Sequence, residues 1–263
     1  MSAIKSIEDL LRFLRRLGHV KGKVNMQLFK VLLLAFSATI IFALKAVDLP
    51  SSTRAENSIA SVVPSLKKTL NERGLEYGAP IFIRIFKEPG ILEVWIESNN
   101  GDYVKFKTYD ICTFSGDLGP KLKEGDNQSP EGFYFVTSRQ LNPWSRFHLS
   151  FNLGFPNQYD RTHGRTGSAL MVHGNCVSIG CYAMTDPYIN EIYALAVAAL
   201  QSGQPFFRVH AFPFELDTES LINYKNHQWY PFWLNLKEGY DYFHKHKKPP
   251  NVEVVNGQYV FDE

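Results

Sequence analysis

Ile81-Phe82-Ile83-Arg84-Ile85-Phe86, Leu92-Glu93-Val94-Trp95-Ile96-Glu97 and Tyr103-Val104-Lys105-Phe106 are the stretches that decide the fold class. The first is apolar and rich in β-branched residues apart from Arg84. The second alternates between apolar and polar side chains, and both are strand patterns. Glu88-Pro89-Gly90 separates the first two runs as a turn. Asn99-Asn100-Gly101-Asp102 separates the second two, and it is a strong hairpin signal because Asn and Gly accept the positive φ of a tight turn. Further strands are expected at Gly132–Thr137, Ala169–His173 and Phe206–Phe212. His148 follows an Asn-Pro-Trp-Ser turn and reads as the start of another strand, so a structural role is expected for it.

Helices are expected around these strands. Residues 48–70, with Ser51-Ser52-Thr53 and Lys67-Lys68, read as a polar linker entering a short helix. Thr185-Asp186-Pro187 is a helix start, with threonine as N-cap and proline in the first turn. Ile189, Ile192, Leu195, Ala196 and Ala199 then recur at helical spacing until Gly203 and Pro205. A last, aromatic helix is expected over Tyr230–His246, before Pro249-Pro250; its aromatics suit core packing better than a carbohydrate platform. The expected architecture is mostly β with peripheral helices, and the sequence shows no internal repeat or low-complexity tract.

Residues 31–44 form an uncharged apolar run behind a flank rich in lysine and arginine. The run is shorter than the ~20 residues of a full span but suits the core of a signal peptide. The basic flank stays on the cytoplasmic side and directs the following chain outward. Export is therefore expected, through a cleaved signal peptide or a retained membrane anchor that would give membrane contact. A start at Met26 would give a signal sequence of ordinary length, and N-terminal sequencing of a precursor beginning at Ser2 would exclude that start. The whole chain has a formal charge of +2, and residues 1–30 contribute +5 of charge, leaving about −3 for the remainder. A nucleic-acid surface would need clustered cations there, so none is expected.

The chemistry is concentrated in His173-Gly174-Asn175-Cys176-Val177-Ser178-Ile179-Gly180-Cys181. A thiol attacks as thiolate, and a histidine within hydrogen-bond reach supplies the base for acyl transfer. Gly174 and Gly180 suit the sharp turns of a substrate-lined loop. Two other roles compete. A cysteine is often a small buried hydrophobe. Alternatively, His163, His173, Cys176 and Cys181 make a four-ligand metal set, although the thiol spacing is loose for a zinc knuckle and no second knuckle follows.

Neighbouring blocks make a resemblance specific. They are Gly116-Asp117-Leu118-Gly119-Pro120-Lys121, Gly125 to Tyr134 with Ser129-Pro130-Glu131-Gly132, Leu141-Asn142-Pro143, His148 to Asn152, Phe155 to Arg161, and Ser178 to Thr185. Together with His173-Gly174 and Ser178-Ile179-Gly180-Cys181, they resemble the L,D-transpeptidase catalytic domain (YkuD-type), and within it the YafK-like branch of murein L,D-transpeptidase/amidase proteins. The resemblance covers about residues 80–260. It implies a β-sandwich-like catalytic domain at residues 79–215, preceded by the basic flank and signal or anchor (1–47) and a linker with a short helix (48–78). A C-terminal helical extension would occupy residues 216–263.

By matching position, the resemblance implies that Cys181 is the nucleophile, His173 the general base and Ser178 the signature serine. Gly180 and the Cys181 N–H then sit where such enzymes build an oxyanion hole. Gly174, Tyr182, His163, Arg161 and Arg165 become substrate-side candidates, with Tyr182 and His163 equally able to serve packing. Ala183 stands where many members have an arginine, which leaves Arg161, Arg165 or Arg208 to hold a donor carboxylate. Glu131, in a Pro-Glu-Gly turn, suits a structural role better than orientation of a base. Cys112 and Cys176 are free to pair in an exported domain.

The implied substrates are peptidoglycan stem peptides, attacked at meso-diaminopimelate to give a thioester that passes to an amine or to water. The branch also implies release of an outer-membrane lipoprotein covalently attached to peptidoglycan. A scaffold that binds peptidoglycan without turnover is the competing class. No metal and no cofactor is expected.

Overall fold

In the computed structural model, which describes residues 49–262, the first strands form where the turn residues place them. Strand β1 (Ile81–Phe86) pairs antiparallel with β2 (Ile91–Glu97), and β2 pairs with β3 (Tyr103–Asp110). β10 (Phe206–Phe212) lies parallel to β1 and antiparallel to β5 (Gly132–Thr137), giving a sheet of order β3-β2-β1-β10-β5. A second sheet has the order β4-β9-β8-β7-β6, made of Thr113–Phe114, Tyr182–Ala183, Met171–His173, Ser150–Asn152 and Leu141–Asn142.

Side-chain alternation assigns the two faces of the first sheet. Ile81, Ile83 and Ile85 of β1, with Phe207, Val209 and Ala211 of β10, enter a core shared with Phe151, Val172 and Tyr182 of the second sheet. Phe86 and Phe212 face the other way, onto the aromatic helix α5 (Tyr230–His246) and a C-terminal hairpin of β11 (Asn251–Val255) and β12 (Gln258–Asp262). Arg84 is on that outer face too, paired with Glu93 at 2.8 Å and lying over the rings of Trp95, Tyr240 and Phe243.

The sandwich-like pairing of sheets is present, but the helices are more than peripheral. Helix α3 (Asp186–Gln201) is capped by Thr185 and buries ten residues from Ile189 to Leu200, nine of them inside the shared core. Its alanines allow close approach on several sides, and α1 (Thr53–Glu72) packs against it. Among the described residues, helices hold about as many residues as strands, so the fold there is mixed rather than mostly β.

Three element expectations need correction. The helix expected to be short runs for 20 residues with Pro64 inside it. The segment 216–263 is not wholly helical, because after α4 (Thr218–Ile222) and α5 it ends in the β11–β12 hairpin. Strand β7 begins at Ser150 and β8 at Met171, because His148 (φ 67°) and Ala169 (φ 55°) adopt left-handed backbone that breaks an extended run. The proposed signal or anchor segment, its basic flank and the Met26 start lie outside the described residues. Among the described residues, no helix is long and apolar enough to cross a membrane.

Candidate active site

Cys181 ends the loop that joins β8 to β9, and the strand register fixes where its side chain points. β8 and β9 are parallel, with Val172 opposite Tyr182 and His173 opposite Ala183. Cys181, one residue before Tyr182, therefore emerges on the same face of the sheet as Met171 and His173. Gly180 turns into it at φ +134°, a backbone conformation that L side chains rarely adopt. The thiol is partly exposed; its Sγ accepts the Met171 N–H at 3.4 Å and donates to the Ala169 carbonyl at 3.7 Å.

A cluster of serines holds the Cys181 main chain. Its carbonyl accepts hydroxyls from Ser178 (2.8 Å) and Ser129 (3.0 Å). The N–H groups of Gly180 (3.2 Å) and Cys181 (3.0 Å) both donate to Ser178 Oγ. Those two N–H groups, expected to line an oxyanion hole, are thus engaged by a side chain in this structure. Ser178 Oγ also meets Ser115 Oγ at 2.7 Å, and Ser115 and Ser129 bond to each other through N–H to Oγ (3.1 Å) and N–H to carbonyl (2.9 Å).

His173 is buried, with its ring against Phe147 (centroids 4.7 Å apart), and its Nδ1 lies 2.6 Å from the Gly174 carbonyl. A carbonyl only accepts, so Nδ1 carries the proton and Nε2 keeps its lone pair. Among the described residues, no hydrogen bond joins His173 to Cys181, although the two share a face of the sheet. Burial lowers the His173 pKa, opposed by the bond to Gly174. Burial raises the Cys181 pKa, opposed by the Met171 N–H and by the charge of Lys121. Both shifts favour the neutral forms, thiol and imidazole.

The loop carrying these groups is also tied near its start. Cys176 forms a disulfide with Cys112 (Cα–Cα 5.2 Å), one residue before β4. A disulfide-bonded Cys176 cannot act as a metal thiolate, which removes it from the four-ligand set. Asn175 N–H bonds Asp186 Oδ1 at 2.8 Å, anchoring the loop to the start of α3. Behind Ser115 and Ser129, the carboxylate of Glu131 accepts Gly119 N–H (2.7 Å) and Trp233 Nε1–H (2.8 Å) and pairs with Lys87 at 3.0 Å, all buried. Glu131 is structural, as its turn suggested.

Several substrate-side candidates are placed elsewhere. Arg165 is buried and paired with Asp160 at 2.8 Å, its guanidinium lying over Tyr159 and Phe232, so it is committed to packing. Tyr182 is fully buried and donates its hydroxyl to the Pro130 carbonyl at 2.6 Å. Gly174 is a packing glycine, since a Cβ there would meet Asp186 Oδ1 at 2.5 Å. His163 is exposed, stacks on Tyr159 and bonds its carbonyl at 2.9 Å. Arg161 and Arg208 line a separate cleft on the outer face of the first sheet. His148 bonds Asn190 of α3 at 2.6 Å and is structural.

Sequence reasoning missed Ser115, Phe147 and Met171 as parts of the site. Ser129 and Lys121 lay inside recognised blocks, but nothing in their spacing showed that one would hold the Cys181 carbonyl and the other would sit near the thiol.

Residues 94–205, which contain His173, Ser178, Gly180 and Cys181, match the family described as YkuD, L,D-transpeptidase catalytic domain. The chain is 48% identical over 183 residues to YafK of Escherichia coli (strain K12), an L,D-transpeptidase by name, covering 70% of this chain and 74% of that protein. The same figures hold for YafK of Escherichia coli O157:H7. Among solved structures, the helical cell shape determining protein Pgp2 from Campylobacter jejuni is similar at a TM-score of 0.40 and 18% identity, over 72% of this chain and 80% of that one.

Proposed function

Because the chain belongs to the L,D-transpeptidase (YkuD) family of peptidoglycan enzymes, we propose that it performs acyl transfer at meso-diaminopimelate of a stem peptide through Cys181 and His173. The observation that carries this is the fixed tautomer of His173. With Nδ1–H held on the Gly174 carbonyl, only Nε2 can take a proton, on the face where Cys181 emerges.

In the first step His173 Nε2 takes the thiol proton as Sγ attacks the amide carbonyl. The tetrahedral intermediate collapses, the C–N bond breaks, and His173 returns the proton to the leaving amine. A thioester remains on Cys181. In the second step an amine or water loses a proton to His173 and attacks, the C–S bond breaks, and the thiol is restored. The serine cluster holds the Cys181 main chain, so that Sγ stays oriented while the acyl group is exchanged.

Hydrolysis is the second outcome of the same thioester, supported by the partial exposure of Cys181, which lets water reach it. On the YafK-like resemblance, it would detach a lipoprotein joined to peptidoglycan through a lysine. Export supports both outcomes: the apolar run 31–44 follows a basic flank, and the Cys112–Cys176 disulfide suits an oxidising compartment such as the periplasm.

Mass spectrometry of muropeptides incubated with the protein and with Cys181→Ala is the test. Tetrapeptide stems with and without a lysine joined to diaminopimelate are the substrates. New cross-links or exchanged terminal residues, lost in the variant, are expected for transfer; loss of the lysine conjugate alone is expected for the amidase. No Cys181-dependent change on either substrate would leave the non-catalytic scaffold standing.

A further inference from the structure

Arg161 and Arg208, both candidates for holding a substrate carboxylate, converge on a cleft of about 640 Å³ between β5, β10, α2 (Gln158–Thr162) and the C-terminal hairpin. This is the size range of sites that take small ligands. Neither Cys181 nor His173 lines it. It opens on the outer face of the first sheet, whereas β8 and β9 belong to the second sheet.

The cleft contains an unexplained polar group. His210 lines it while being only 1% exposed, and neither ring nitrogen has a hydrogen-bond partner among the described residues. The rings of Phe82 and Phe133 hold it edge-on, each 4.6 Å away. Burial, and next the charges of Arg208 and Arg84, keep the imidazole neutral, so it offers one donor and one acceptor. A buried polar group without a partner is destabilising, and a ligand in the cleft would supply the missing bond.

The walls define what that ligand carries. Phe135 is 56% exposed and its ring lies 5.4 Å from that of Phe206, an open apolar ledge. Arg208 lies over Phe206 and donates to Asn251 Oδ1 at 2.6 Å, and the guanidinium of Arg161 bonds the Pro156 carbonyl while remaining exposed. The hairpin wall supplies Glu253 and Asp262. Cations on one side and carboxylates on the other suit a zwitterion. Strand addition along β5 is disfavoured, because the carbonyls of Phe133 and Phe135 are already capped by Asn157 Nδ2 (2.9 Å) and Gln140 Nε2 (3.0 Å).

We propose that this cleft is a second binding site, for a short zwitterionic peptide of the stem-peptide class, with carboxylates at Arg161 and Arg208, apolar groups on Phe135 and Phe206, and a polar group at His210. The proposal rests on the peptidoglycan function above. It gives the protein a hold on a stem peptide distinct from the one it would process, so a neighbouring stem would anchor the enzyme while the first is cleaved.

Photo-cross-linking of the full chain with a tetrapeptide stem carrying a photoreactive group tests it. Peptide mapping should find adducts in residues 133–135, 206–210 or 251–262 as well as in 171–183. Arg161→Ala with Phe135→Ala, both exposed positions, should reduce the first set by about tenfold or more and leave the second set in place. Adducts confined to 171–183, or outer adducts unaffected by the two substitutions, would overturn the proposal. Outer adducts displaced by an N-acetylglucosamine oligomer and not by unlabelled tetrapeptide would assign the cleft to glycan and equally overturn it. Cys181-dependent turnover of the same tetrapeptide, measured separately, decides the catalytic function without reference to the cleft.

Discussion

The Gly174 carbonyl, 2.6 Å from His173 Nδ1, decides which nitrogen can act as base, and burial decides when. Burial lowers the imidazole pKa and raises that of the thiol, so in the proposed mechanism proton transfer accompanies attack. Two pH profiles follow. A base must be neutral to work, and a lowered pKa keeps it neutral into mildly acidic solution; kcat/KM should therefore fall only below the ordinary histidine range. Alkylation needs thiolate, so iodoacetamide labelling of Cys181 should rise only above the ordinary cysteine range. Labelling that is already maximal near pH 6 would instead indicate a standing thiolate–imidazolium pair. Removing the base alone should slow turnover steeply: His173→Gln is expected to lower kcat by about 10²–10⁴-fold, measured on tetrapeptide stems with folding checked by circular dichroism.

The disulfide and the serine cluster act at the scale of the element, holding the turn that bears Cys181. Cys112 and Cys176 are separated by 64 residues, and the bridge restricts a long loop of the unfolded chain. Replacing both by serine should cost roughly 2–4 kcal/mol in urea unfolding, with Cys181 still present, and should reduce turnover by releasing the loop. An unchanged midpoint and unchanged turnover together would show that the bridge is dispensable. Elements marked by their own turn residues and caps were legible in the sequence, as β1, β5, β10, α3 and α5 show. The start of β8 was not, because Ala169 takes a left-handed φ that the preference of alanine does not announce. The C-terminal hairpin had a readable signal in Asn256-Gly257 (φ 50° and 75°), obscured by the helix and prolines before it. In the site, the motif spacing singled out the turn and its thiol. Gly174 and Arg165 read as substrate-side candidates, and Tyr182 as a substrate or packing residue, because the burial that commits them comes from residues distant in sequence: Tyr182 meets Pro130, and Gly174 meets Asp186.

Across the whole molecule, one carboxylate joins the parts that build the site. Glu131 pairs with Lys87 just beyond β1, accepts Gly119 N–H from the loop behind the serine cluster, and accepts Trp233 Nε1–H from α5. Lys87 in turn donates to the carbonyls of Asp117 (3.1 Å) and Gly119 (2.7 Å), so the first sheet, the loop and the C-terminal helix share one buried junction. Both charged side chains have zero exposure, so removing one charge strands the other. Glu131→Gln, which keeps the shape of the side chain, should cost roughly 3–5 kcal/mol in urea unfolding. The pH dependence provides the decisive signature. Burial already lowers the Lys87 pKa, with Glu131 opposing it, and without that carboxylate the ammonium should lose its proton more readily in the folded state. The unfolded state would then bind more protons than the folded one, so the variant's stability should rise with pH from the lowered lysine value up to the ordinary lysine range. Lys87→Met combined with Glu131→Gln has no lysine to titrate at this junction, so this slope should vanish and part of the lost stability should return. A Glu131→Gln loss that is small and flat with pH would show that the junction is held by Trp233 and packing rather than by the ion pair.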